Sequence, residues 1–104
     1  MAQLDGKWLK AKDINLVRIE VDCPEQYEAY TPDGGRVGYI RIRWGYCIAW
    51  CPDAGGKDEV YAAELKCGWW NFGSNKERRK HLRRAKDAIA AWCNEHPGVY
   101  GELI

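Results

Sequence analysis

Seven of the sixteen basic residues fall within eleven positions: Lys76, Arg78, Arg79, Lys80, Arg83, Arg84 and Lys86, with Glu77 as the one acid among them. The rest of the chain holds nine basic residues against fourteen acids, so a balance of +6 in this segment and −5 elsewhere sums to a formal net charge of +1. The chemistry such a cluster suits is phosphate binding: Arg forks take phosphate oxygens bidentately, and helix N-terminal amides add oriented donors. The segment reads as the first turns of a helix, where the macrodipole disfavours added cations by about 0.3–1 kcal/mol each. An anionic partner relieves that cost. The competing reading is a solvated face that offsets the acidic remainder of the surface.

Arg41 and Arg43, with Tyr39 nearby, fall on the side of a sheet expected to be uncovered, where Arg and aromatic planes stack on bases or simply face solvent. Trp69 and Trp70, with Phe72, crowd three rings into four residues just ahead of the basic segment. They form either a satellite core or an exposed platform bordering the cations, and Trp beside Arg also suits protein interfaces. Cys47 and Cys51, or Cys93 and His96, lack the C-x-x-C spacing of structural zinc sites, so no metal and no cofactor are expected. Five irregularly spaced cysteines fit reduced thiols better than a disulfide framework. Catalysis has little to work with. The only Ser caps a helix, the only Thr precedes a turn proline, and neighbouring cations are expected to lower the pKa of His81. No Walker loop, Rossmann fingerprint or zinc-protease motif occurs.

The elements that must position these side chains follow from periodicity. At 104 residues the chain is expected to be one domain, 1–104, with core enough to fold without disulfides or metal. Strands are predicted over Ile14–Asp22, Glu25–Tyr30, Arg36–Cys51 and Glu59–Lys66. The third is too long for one strand, and Gly45 marks a hairpin within it. A three-residue loop Arg43-Trp44-Gly45 pairs Ile42 with Tyr46 and Ile40 with Ile48, putting Ile40, Ile42, Tyr46, Ile48 and Trp50 on one face. A two-residue loop Trp44-Gly45 mixes Arg41 and Arg43 with Ile48 and Trp50 and requires positive φ at Trp44, and it is disfavoured on both grounds. Ser74 to Glu77 matches a capping box, opening a helix from about Asn75 to Asn94 whose stripe is Leu82, Ala85, Ile89 and Trp92. The predicted core is Ile40, Ile42, Ile48, Trp50, Leu65, Leu82, Ile89 and Trp92. The terminal Val99, Tyr100, Leu103 and Ile104 are apolar enough to dock. The expected fold is α+β: an antiparallel sheet of four or five strands with one C-terminal helix packed on one face.

Over about 36–94, the strand–strand–strand–helix order with Arg and Trp-Gly in the first hairpin resembles plant AP2-type and integrase arm-type DNA-binding domains, in order and composition alone. That resemblance implies base contacts from the open sheet face, for which Arg41 and Arg43 are the available residues. The reading favoured here is a small non-enzymatic protein that binds nucleic acid through phosphate contacts from Lys76, Arg78, Arg79, Lys80, Arg83, Arg84 and Lys86. Its rival is a protein-binding inhibitor or adaptor, of the compact kind encoded by phages and mobile elements, that docks the same Arg and Trp patch on an acidic protein surface. The first twelve residues lack the apolar core of a signal peptide, and no stretch approaches the roughly 20 apolar residues of a membrane span. The expected setting is therefore cytoplasmic, with no membrane partner.

Overall fold

The computed structural model describes residues 9–19, 24–56 and 58–101. A short 3-10 turn, Ala11–Asp13, leads into five strands: β1 Asn15–Arg18, β2 Gln26–Tyr30, β3 Arg36–Arg43, β4 Tyr46–Cys51 and β5 Asp58–Glu64. They form one antiparallel sheet in the order β1-β2-β3-β4-β5. Helix α1, Asn75–Glu95, follows and covers one face. The α+β arrangement anticipated from periodicity is the one observed. No helix among the described residues is long and apolar enough to cross a membrane.

The β3–β4 hairpin differs from expectation. Arg43 pairs with Tyr46, Ile42 with Cys47 and Ile40 with Ala49, so the loop is the two-residue Trp44-Gly45. Trp44 has φ 54° and Gly45 φ 78°, the double positive φ of a type I′ turn. Tertiary contacts hold Trp44 there. The Gly45 amide donates to the Trp69 carbonyl at 2.9 Å, the Leu65 amide donates to the Gly45 carbonyl at 2.8 Å, and the Trp44 ring packs against Trp69 and Trp70.

This register exchanges the faces of β4. Cys47, Ala49 and Cys51 are buried under the helix, while Tyr46, Ile48 and Trp50 lie on the open side, so Ile48 and Trp50 are not core residues. Packing depth explains the choice: Ala29, Gly38, Cys47 and Ala49 make a shallow floor that lets α1 settle closely. A Cβ on Gly38 would sit 2.9 Å from Ile89 Cδ1. Ile40, Ile42, Leu65, Ile89 and Trp92 are buried as expected, and Leu82 packs partly buried against them. The helical stripe also takes in Ala90, His81 and Glu77. At the chain's far end, Tyr100 packs over Gly35 and the Gly101 amide bonds the Arg36 carbonyl at 2.8 Å. Val99 is exposed, and Leu103 and Ile104 lie outside the described residues.

Trp44 allows a direct check of the turn. Left-handed backbone costs a non-glycine residue about 1–2 kcal/mol, which Asn tolerates better, whereas loss of the ring contacts costs about 0.5–1.5 kcal/mol per pair. Trp44→Asn is thus expected to change unfolding free energy by no more than about 1 kcal/mol in urea denaturation. A three-residue loop would gain nothing from Asn at this position, and the variant would then be clearly destabilised.

Candidate functional site

The start of α1 is anchored before it is charged. Ser74 caps the helix, its Oγ accepting from the Glu77 amide at 3.2 Å. Glu77 does not complete the capping box; its carboxylate accepts instead from the amides of Lys66 at 2.6 Å and Cys67 at 3.4 Å, tying the helix to the end of β5. Arg78 is likewise turned inward. Its Nε and Nη2 donate to the two carboxylate oxygens of Glu25 at 2.8 and 3.0 Å, and Glu25 is fully buried. The Tyr27 hydroxyl and the Phe72 amide also donate to that carboxylate, and the Arg18 guanidinium lies 3.6 Å away. Burial pushes the Glu25 carboxyl upward, but bonds from Arg78 and Tyr27 outweigh it and hold the pKa below the ordinary value. Burial, aided by Glu25, raises the Tyr27 phenol to about 12.

The remaining cations divide among three places. Arg79, Arg83 and Lys86 recur at helical spacing on one side of α1, and Lys10, just before the 3-10 turn, and Lys12 within it face them. Together with Leu16, Leu82 and Asp87 they line an open cleft of about 670 Å³. Reciprocal bonds fix its walls: the Leu9 amide donates to Asn94 Oδ1 at 3.0 Å, and Asn94 Nδ2 donates to the Leu9 carbonyl at 2.9 Å. Lys76 and Lys80 line a second cleft, of about 240 Å³, with Lys66, Cys67, Ser74 and Glu77. Arg84 lies apart, near Tyr61, whose phenol it holds down against the rise that burial imposes. Of the seven clustered cations, Arg78 is thus committed to the fold. Lys10, Lys12 and Lys66 join the others from elsewhere in the chain, a convergence that nothing in their local sequence signals.

Arg41 and Arg43 do fall on the uncovered sheet face. There Tyr39 stacks on Trp50 with ring centroids 5.9 Å apart, and Arg41 Nε is buried without a hydrogen-bond partner. The exchanged hairpin register therefore adds Ile48 and Trp50 to this face. Trp69 is exposed and Trp70 half-buried. Trp44, absent from the expected site, sits against both, at 5.9 Å edge-on to Trp69 and 4.8 Å from Trp70, with the Arg43 guanidinium 5.8 Å over its ring.

The groups suited to acid, base or nucleophile roles are mostly held inside the fold. His81 is buried, its Nδ1 2.7 Å from the Tyr61 hydroxyl and its ring stacked on Phe72. Its pKa is lowered as expected, but burial is the main cause; Lys80 and Arg84 add to it and Glu77 opposes. The four described cysteines are free thiols, with Cys47, Cys51 and Cys93 buried and Cys67 exposed, while Cys23 lies outside the described residues. Burial raises Cys47 to about 12 and Cys93 to about 11. Iodoacetamide at neutral pH is accordingly expected to alkylate Cys67 in the native protein and the three buried thiols only after unfolding, as peptide mass mapping reads directly. Among the described residues no His, Cys, Asp and Glu side chains group so as to hold a metal ion.

Comparison with models of protein families, with curated proteins and with solved structures finds no match to this chain.

Proposed function

We propose that this protein binds nucleic acid through phosphate contacts, centred on the cleft between the 3-10 turn and α1. The observation that carries this reading is the convergence of five cations, Lys10, Lys12, Arg79, Arg83 and Lys86, on one cleft that a single acid, Asp87, shares. A solvated face has no need to gather cations from two elements 67 residues or more apart, whereas a polyanion spans such a groove and offsets their mutual repulsion (Lys12 to Arg79, 79 − 12 = 67). Lys76 and Lys80 extend the positive surface along the helix. Binding rather than catalysis is the role the site supports, because His81 and three of the cysteines are buried within the fold and away from the cleft.

Reversing Arg79 and Arg83 to Glu tests it. Both side chains are exposed and off the buried stripe, so the fold is expected to persist. Binding to random duplex and single strands at low salt should fall below detection in the double variant. Wild-type affinity should drop with a log–log salt slope of about −3.6 if about four phosphates on a duplex are neutralised. Wild-type protein that binds no nucleic acid at about 50 mM salt, where such contacts are strong, overturns the reading.

A further inference from the structure

A second surface bears on which form of nucleic acid the protein takes, an inference that rests on the nucleic-acid reading above. Trp44 and Trp69 are 53% and 56% exposed, which is unusual for side chains of this size. They line a cleft with Tyr46, Glu64, Leu65 and Lys66, and Lys66 also lines the neighbouring cleft of Lys76 and Lys80. The aromatic surface and the lysine surface therefore adjoin at one residue. In the lysine cleft Lys66, Lys76 and Lys80 outnumber the one acid, Glu77, whose carboxylate is turned to the Lys66 and Cys67 amides, so the potential there is positive. Glu64 shares the aromatic cleft and accepts from the Tyr46 hydroxyl at 3.4 Å, so the surplus of positive charge lies in the lysine cleft that Lys66 borders.

The backbone fixes how the first ring is presented. Trp44 occupies a left-handed position, and its contacts with Trp69 and Trp70 hold it there. Its ring is presented outward, edge-on to Trp69 at 86° between planes, with Trp70 behind it and Arg43 against it. Rings fixed in this way offer faces that hydrophobic burial leaves unused.

We propose that Trp44 and Trp69 are a stacking platform for unpaired bases, and that Lys66, Lys76 and Lys80 hold the adjoining phosphates, so that the preferred ligand is single-stranded nucleic acid. Base faces are available to exposed rings only when a strand is unpaired, and stacking of this kind is tolerant of sequence. A duplex keeps its base faces stacked within the helix, offers the rings none of them, and engages the cationic clefts through its phosphates.

Tryptophan fluorescence titration with an oligothymidylate, and competition with a duplex of equal length, reads both halves of the proposal. The oligothymidylate is expected to quench the wild-type protein and to bind it at least about tenfold more tightly than the duplex. Trp44→Asn and Trp69→Ala should each lose about tenfold in single-strand affinity while duplex affinity stays unchanged. Melting curves check that each variant is folded, and the two substitutions serve as independent tests. Equal or tighter binding of the duplex, or single-strand affinity unaltered in both variants, overturns the platform. In that event loss of binding on reversal of Arg79 and Arg83 still upholds the phosphate reading. Failure of the wild-type protein to bind either ligand overturns both, and a protein partner retained by the wild type but not by Trp69→Ala would then assign the rings to a protein interface.

Discussion

Replacing Glu25 with Ala is expected to destabilise the protein by about 3 kcal/mol, the lower end of the range for breaking a buried ion pair. The lower end applies because Arg78 keeps 27% of its side-chain exposure and water can partly solvate it once the carboxylate is gone. The Tyr27 hydroxyl and Phe72 amide have no such recourse and lose their acceptor. Glu25→Gln, which retains shape and an acceptor oxygen, should cost less. Chemical denaturation of the three proteins measures the series. Equal stability of Glu25→Ala and wild type would mean that the network does not form.

The same residue sets part of the acid limb of stability. Its folded pKa is depressed below 4.5, so its contribution is fully present above that value and is lost as pH falls through the folded value. His81 acts at higher pH. Its folded pKa is depressed below 6.5, the neutral ring is the one the fold accepts, and stability declines as pH falls below 6.5. Wild-type stability should therefore decline in two stages on acidification, and the second stage should flatten in Glu25→Gln.

Ile89→Ala is expected to cost about 2–5 kcal/mol, since the side chain is fully buried against the sheet floor. Enlarging its partner instead, Gly38→Ala, drives a methyl to 2.9 Å from Ile89 Cδ1 and should cost about 1–3 kcal/mol by overpacking. Combining Gly38→Ala with Ile89→Val should recover part of that loss, and the recovered energy measures their contact. A change below about 0.5 kcal/mol for Ile89→Ala would place this helix face in solvent.

The elements themselves were legible because each rests on local pattern. The Ser74 cap and the stripe through Ala85, Ile89 and Trp92 located α1, and the alternation within 36–51 located the central hairpin. Its register was not legible: the rule against positive φ at a bulky residue is local and was overridden by contacts from Leu65, Trp69 and Trp70, and the preference for keeping Ile48 and Trp50 apart from Arg41 and Arg43 gave way with it. That one-residue slip moved Ile48 and Trp50 out of the core. The cationic segment was visible as a count but not as a site. Counting cannot show that Arg78 is spent on a carboxylate 53 positions away, nor that Lys10, Lys12 and Lys66 come to stand beside the rest.

Strand order in the sheet equals strand order in the chain, so every β pairing joins neighbours in sequence and closes only a short loop. Such local topology favours rapid folding. The clasp between Leu9 and Asn94 is of the opposite kind, spanning 85 positions. Loop closure makes it among the costliest contacts to form, and as the meeting of the two ends of the described chain it is an early place for native structure to open. Hydrogen exchange at the Leu9 amide should thus outpace exchange in β3 and β4. Because the same clasp brings Lys10 and Lys12 to α1, the cationic cleft exists only while the chain is closed, and a polyanion that bridges its walls would slow that exchange.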